Sequence, residues 1–407
     1  CVLFLLISAP QLKAQACDGQ RYFDEIFTVD VTSGIKYGEA VQPTLFDSNA
    51  IQELFLDVYQ PDGDTMSARP LIIWAFGGAF VFGSRVSPDI VNLSNAFSSR
   101  GYVNVSIDYR LSTDLIFNND VANVYEAIMK ASHDMAAAVR FFYKDAATTN
   151  DYRIDTNKIF IGGVSAGALA ALHATHIDEF NEIPLEIYDL FIDNGAFTGN
   201  SGNPGYSQDI AGVINLCGAM GDTAWIDPIE TPIVSLHGTE DDVVPYGSEL
   251  ITLLGINVEV DGSGSIHEKL DQLGTVNALY TFQGAGHTPF VLGGEYMDTT
   301  IWFIRDFLYD QVCPEVSSIG GVLSDDVFFN VFPNPSDGLF NVDITGLADP
   351  NLQLTILDYT GARICSVLDV SEGTNSFGVS TLPSGLYLVR LDGEHLPRPY
   401  YQRLVVK

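Results

Sequence analysis

Three segments of the chain hold side chains that could work together: Gly163-Val164-Ser165-Ala166-Gly167, His237-Gly238-Thr239-Glu240-Asp241-Asp242-Val243-Val244-Pro245, and Gly284-Ala285-Gly286-His287. A serine hydroxyl is a weak nucleophile until a base takes its proton, and the base needs an acid to hold its tautomer. G-x-S-x-G is the pattern of a serine on a strained strand-to-helix turn, where anything larger than the flanking glycines would meet backbone. KIFIG enters it as a strand and ALAALHA leaves it as a helix. The helix start brings free N–H groups and a positive dipole end to the reacting carbonyl. Ser165 is therefore read as the nucleophile of an acyl transfer. Upstream, Phe76-Gly77-Gly78-Ala79-Phe80 closes an apolar strand. The N–H groups of Gly78 and Ala79, with that of Ala166, are expected to form the oxyanion hole.

The partners of such a serine follow it in the order acid, then histidine. Of seven histidines, His133, His173 and His176 precede the acid on helices, His267 lies in a polar helix-like stretch and His395 lies near the C-terminus. His237 ends the strand IVSLHG and is read as structural. His287, on a Gly-rich loop after the strand NALYTFQ, is the expected base. Glu240, Asp241 and Asp242 are all open as the acid, since residue chemistry does not choose among three adjacent carboxylates.

These loops need strand ends to hold them. RPLIIWAF, GYVNVSIDYRL, KIFIGG, GVINLCGA, PIVSLHG and NALYTFQG read as apolar strands; residues 89–99, 121–143, the segment after Ser165 and 296–309 read as helices. The alternation predicts an α/β fold with a mostly parallel sheet covered by helices on both faces. Between His176 and Ala211 the alternation breaks: the Gly- and Asn-rich stretch 193–209 reads as loop, and the insertion 178–209 is expected over the carboxyl edge of the sheet or as inert surface. After Cys313 short alternating runs separated by Pro, Gly, Asp and Asn predict a small all-β sandwich. The expected boundaries are a catalytic domain over 17–316, a Ser/Gly linker over 317–326 and the sandwich over 327–407.

The 407 residues carry a formal net charge of −33, which would repel nucleic-acid phosphates and anionic lipid. No nucleic-acid partner, cofactor or metal is expected. Residues 1–16 are similar to a truncated secretory signal: an apolar run from Val2 to Ile7, too short to span a bilayer, precedes Ala14-Gln15-Ala16. Export permits disulfides. Cys17 and Cys313 flank the catalytic domain and are expected to pair, while Cys217 and Cys365 lie in strand-like runs and are read as buried thiols.

With these residues assembled, residues 50–310 resemble the carboxylesterase and acetyl-esterase branch of the α/β-hydrolase superfamily. The pattern H-G-x-x-D-x-x-V-P is met by His237, Gly238, Asp241, Val244 and Pro245, and the resemblance selects Asp241 as the acid. Asp108-Tyr109-Arg110-Leu111 is similar to the branch's N-Y-R-L, and its H-G-G-A is met at Gly77, Gly78 and Ala79 with Phe76 in place of the histidine. The C-terminal 80 or so residues resemble the type IX secretion sorting domain of Bacteroidota, through VFPNPSDGLFNVDI (331–344), LPSGLYLVRL (382–391) and a final strand ending in Lys407. The resemblances imply a secreted or cell-surface serine esterase acting on small or polysaccharide-linked esters (acetyl or feruloyl), and outer-membrane secretion machinery as a partner. A serine peptidase of the prolyl-oligopeptidase kind and an inactive adhesion protein are the alternatives.

Overall fold

The computed structural model describes Cys17 and residues 20–44, 47–112, 115, 120–228, 231–253 and 256–313. In the C-terminal part it describes 328–332, 336, 339–345, 351–358, 364, 368–378, 382–383, 385–393 and 400–406. The expected signal (1–16), the expected linker (317–326), Cys365, His395 and the Pro333-Asn334-Pro335 run lie outside these residues. The chain divides into two compact units, with the boundary between Glu315 and Val316.

The first unit has strands β1 (Val29–Val41), β2 (Ile51–Pro61), β3 (Arg69–Ala75), β4 (Val103–Ile107), β5 (Ile154–Val164), β6 (Gly212–Leu216), β7 (Ala219–Met220), β8 (Ile233–Gly238), β9 (Ser248–Leu253), β10 (Ile256–Gly262) and β11 (Asn277–Phe282). Its helices are α1 (Pro88–Ser98), α2 (Val121–Ala147), α3 (Ala166–His176), α4 (Tyr188–Asp193), α5 (Ser263–Leu273) and α6 (Glu295–Val312). One eight-stranded sheet runs β1-β2-β4-β3-β5-β6-β8-β11. The pairs from β4 to β11 are parallel, whereas β1 and β2 join antiparallel. Every residue of β3, β4, β6 and β8 is buried, as parallel strands covered on both faces require. Polar atoms in this core are paired: the Trp74 indole N–H donates to Asn104 Oδ1 at 2.9 Å. No helix among the described residues is long and apolar enough to cross a membrane.

The stretch 193–209, expected as loop, is loop but for one turn of 3₁₀ helix at Ala196–Thr198. The insertion before it holds α4 and two more such turns, at Phe180–Glu182 and Leu185–Ile187. Ile183, Ile187 and Phe191 bury against Met129 of α2. Phe191 meets the His133 ring at 5.9 Å, and Gln208 accepts from Arg140 of α2 at 2.8 Å. It clads α2.

Cys17 and Cys313, the residue that ends α6, are disulfide-bonded with Cα atoms 5.7 Å apart. Cys217 is a buried free thiol.

The second unit has strands β12 (Phe328–Phe332), β13 (Leu339–Thr345), β14 (Gln353–Asp358), β15 (Leu368–Asp369), β16 (Gly373–Gly378), β17 (Gly385–Asp392) and β18 (Tyr400–Val406). They form two antiparallel sheets, β12-β13-β16 and β15-β14-β17-β18. Alternate residues such as Phe340, Val342 and Ile344 from one sheet, and Leu354, Ile356 and Val389 from the other, share a single core. Period-two alternation is what a sheet with one buried face demands.

Candidate active site

β5 ends at Val164 and α3 begins at Ala166, so Ser165 is the whole turn between them. It sits at φ 53° and ψ −117°, a strained conformation for a residue with a side chain. Its N–H donates to Leu216 O at 2.8 Å, so β6 pins the turn. The flanking glycines are required by space. A Cβ on Gly163 would lie 2.4 Å from the Gly167 carbonyl carbon, and one on Gly167 would lie 2.2 Å from Ala75 O.

Adjacent parallel strands β8 and β11 launch the loops bearing the acid and the base. Glu240 N–H donates to Ala285 O at 2.9 Å and Gly284 N–H to Thr239 Oγ1 at 2.8 Å, which zips the loops together. The result is a continuous line. His287 Nε2 lies 2.9 Å from Ser165 Oγ, and His287 Nδ1 lies 2.7 Å from Asp241 Oδ2. Of the three carboxylates, Glu240 and Asp242 are exposed and the Asp241 side chain is buried against His287. Asp241 Oδ1 accepts from the N–H groups of Val243 and Val244, each at 2.9 Å. Burial alone would raise the Asp241 carboxyl. Hydrogen bonds from His237, His287 and the Val244 N–H, with the His287 charge, instead hold it well below the usual carboxylate range.

Gly78, Ala79 and Phe80 adopt successive positive φ of 137°, 55° and 60°. A Cβ on Gly78 would meet Phe82 O at 2.1 Å, and one on Gly77 would lie 3.3 Å from Ser165 Cβ, so this loop abuts Ser165. Ala166, first residue of α3, has one of the N–H groups that a helix cannot satisfy internally. The structure thus brings together Ser165, Asp241 and His287, with Ala166 next along the chain and the loop of Gly78 and Ala79 beside Ser165 through Gly77. Phe76, standing where the resembling branch has histidine, is buried and stacked on Tyr109 with ring centroids 4.3 Å apart. Tyr109 donates its hydroxyl to Phe76 O at 2.8 Å. The loop is therefore supported by ring packing from the DYRL segment.

Two neighbours had no part in the sequence reading of the site. Cys217 follows β6 at φ 53°, and burial pushes its thiol up to about 12. Its sulfur lies within 4.8 Å of ligand atoms on Asp241 and His287, but both already carry the hydrogen bonds that link them to each other and to Ser165, so an ion there would compete with those bonds. His237, read from sequence as structural, reaches Asp241 Oδ2 with Nε2 at 3.2 Å. His237 ends a strand and Asp241 lies in the turn after it, so no local periodicity signals their pairing. Elsewhere, an apolar cavity of about 70 Å³ between α2, α3 and the insertion is lined by Met129, His173, Phe191 and Trp225, among others, and by no triad residue.

Residues 56–220, which include the turn at Ser165 and the loop at Gly77–Ala79, match the BD-FAE family. Residues 330–407 match the secretion system C-terminal sorting domain. Lipase 1 and lipase 2 of Geotrichum candidum are 29% and 28% identical to this chain over 132 residues, 30% of this chain and 21% of theirs. The match thus spans about a fifth of the length of those lipases. Esterase 2 of Thermogutta terrifontis is similar in fold at a TM-score of 0.50 and 19% identity, covering 69% of this chain and 94% of that one. The first unit accordingly shares the fold of that esterase. The sorting domain indicates export, with a secreted or cell-surface destination.

Proposed function

We propose that the first unit is a serine-dependent hydrolase of carboxylic esters. The observation that carries this reading is the unbroken hydrogen-bonded line from Ser165 through His287 to Asp241, beside the oxyanion loop. Ser165 Oγ attacks the acyl carbon while His287 Nε2 takes its proton. The N–H groups of Gly78, Ala79 and Ala166 receive the developing oxyanion. His287 then returns the proton to the leaving alcohol, and water repeats the sequence on the acyl-enzyme. Asp241 keeps the His287 proton on Nδ1, which leaves Nε2 free to act as base.

A sorting domain on such a hydrolase suits a substrate met outside the cell. Acetyl or feruloyl esters of polysaccharides are the class we assign. The test is turnover of a p-nitrophenyl acyl ester series beside acetylated and feruloylated glycans, with peptide p-nitroanilides as the comparison. Ester turnover with release of acetate or ferulate from glycan supports the reading. Cleavage of peptide anilides without ester turnover would replace it with the peptidase alternative.

A further inference from the structure

Asp241 Oδ2 is shared by two histidines, and the second is tied into a buried polar chain. His237 Nε2 faces two acceptors, Asp241 Oδ2 at 3.2 Å and Val244 O at 3.0 Å, so it carries the proton. Nδ1 must then accept, and Ser263 Oγ lies 2.7 Å from it. Ser263 Oγ in turn receives Asn215 Nδ2 at 3.0 Å, and the same amide reaches Ser235 Oγ at 3.0 Å. Gly218 N–H donates to Asn215 Oδ1 at 2.9 Å and thereby fixes which way the amide faces. Ser235 Oγ lies 2.7 Å from His267 Nε2, and His267 Nδ1 lies 2.7 Å from Asn277 Oδ1. Asn277 Nδ2 donates to Asp271 Oδ1 at 2.9 Å and Thr275 O at 3.0 Å, both acceptors, so its oxygen must receive His267 Nδ1–H.

Every proton in this chain has one consistent place. His237, Ser263, Asn215 and Ser235 are fully buried, and His267 nearly so. A buried polar network that is fully satisfied rigidifies the groups it holds, whereas a half-satisfied one is costly. Ordinary core residues would fill this space between β6, β8 and α5 more cheaply than two histidines, two serines and an asparagine.

We propose that His237 is a positioning residue for the triad, a second histidine that donates to the same Asp241 oxygen as His287 and, held by Ser263, fixes where that oxygen points. The proposal rests on the triad reading above. With Oδ1 held by two backbone N–H groups and Oδ2 by two imidazoles, the carboxylate has no rotation open to it. Removing the His237 N–H leaves Oδ2 to His287 alone. The carboxylate becomes more basic, pairs more strongly with the His287 imidazolium, and makes His287 a base at higher pH only. The titratable groups facing Asp241 are His287 from the loop after β11, His237 from β8 and Cys217 from the end of β6, whose thiol stays neutral.

The test compares His237→Phe, which keeps a ring and loses the N–H, with His237→Gln, whose Nε2 stands the same number of bonds from Cβ. kcat, KM and the pH profile of kcat/KM are read on a p-nitrophenyl ester, with near-ultraviolet circular dichroism as the control for folding. His237→Phe should lower kcat roughly 10- to 100-fold with KM within about threefold, and move the acid limb up by about half a pH unit or more. His237→Gln should restore the limb and most of kcat. If His237→Phe does not fold, Ser263→Ala carries the test and should move the limb the same way by less. A folded His237→Phe with unchanged kcat and limb overturns the proposal, as does equal loss in both variants with no limb shift. An unmoved limb in Ser263→Ala overturns it where the Phe variant is unfolded. Ser165→Ala in the same assay keeps the two readings apart: its retention of turnover would sink the triad itself, whatever His237 does.

Discussion

Replacing Asp241 by Asn should abolish most of the activity, for a reason that can be followed atom by atom. The amide offers one acceptor where the carboxylate offered two. Its oxygen is claimed by the Val243 and Val244 N–H groups, each 2.9 Å from the present Oδ1. The NH₂ group is then turned toward His287 Nδ1 and His237 Nε2, which are themselves donors. His287 relieves the clash by carrying its proton on Nε2, where it faces Ser165 and can no longer receive the serine proton. A wrong-tautomer base costs on the order of 10³–10⁴ in kcat, about 4–5.5 kcal/mol of lost transition-state stabilisation. Asp242→Asn, at an exposed position, should cost no more than a few-fold. Both variants are compared by kcat on p-nitrophenyl acetate at pH 7, and the reverse order of loss would refute the reasoning. Stability gives a second reading. The folded carboxyl lies below its unfolded value of about 3.9, so its contribution is complete above that pH and shrinks as pH falls toward the folded value. The stability gap between wild type and Asp241→Asn should therefore hold steady above about pH 5 and narrow from there to about pH 3 in urea unfolding, and a gap unchanged over that fall would contradict the hydrogen bonding described for Asp241.

Ser165→Ala and His287→Ala should each lower kcat by roughly 10⁴-fold or more without changing the circular dichroism of the fold, and near-wild-type turnover in either would remove that residue from the triad. Non-reducing peptide mapping should find Cys17 joined to Cys313. Because that bond closes a loop of 296 residues in sequence separation, its reduction should lower the melting temperature, and Cys17 found free or paired elsewhere would count against the bond. A chain ending near Val316 keeps every triad and oxyanion residue and should hold kcat/KM on a soluble p-nitrophenyl ester within about twofold, while failing to be exported by its host. Large loss of activity in that folded truncation would show that the C-terminal unit shapes the site.

Much of the catalytic unit was legible because its signals are local. Gly163 and Gly167 are demanded by contacts of 2.4 and 2.2 Å within one turn and its neighbouring strand, and such sterics write themselves into the motif. The buried strands β3, β4, β6 and β8 read as apolar runs because both faces are covered. The exposed antiparallel strand β1 shows no such run, since most of its residues face solvent, and it had no reading in the sequence. The helical turns of the insertion, between Phe180 and Asp193, are too short to set up a periodicity, and Pro184 interrupts them.

Residue types and order alone offered a candidate nucleophile, a candidate base and a choice of three acids, because covalent chemistry needs those groups and the strand ends offer them in one sequence. The choice among Glu240, Asp241 and Asp242 was made by resemblance, and the tertiary structure shows its physical content. Only the Asp241 side chain turns inward, onto two backbone N–H groups and two imidazoles. The partnership of His237 with that acid could be decided by folding alone. Its second nitrogen is set by Ser263, 26 residues away, and Ser263 by Asn215, 48 residues away. A proton's place in a buried chain depends on every acceptor along it, and those acceptors become neighbours when β6, β8 and α5 pack.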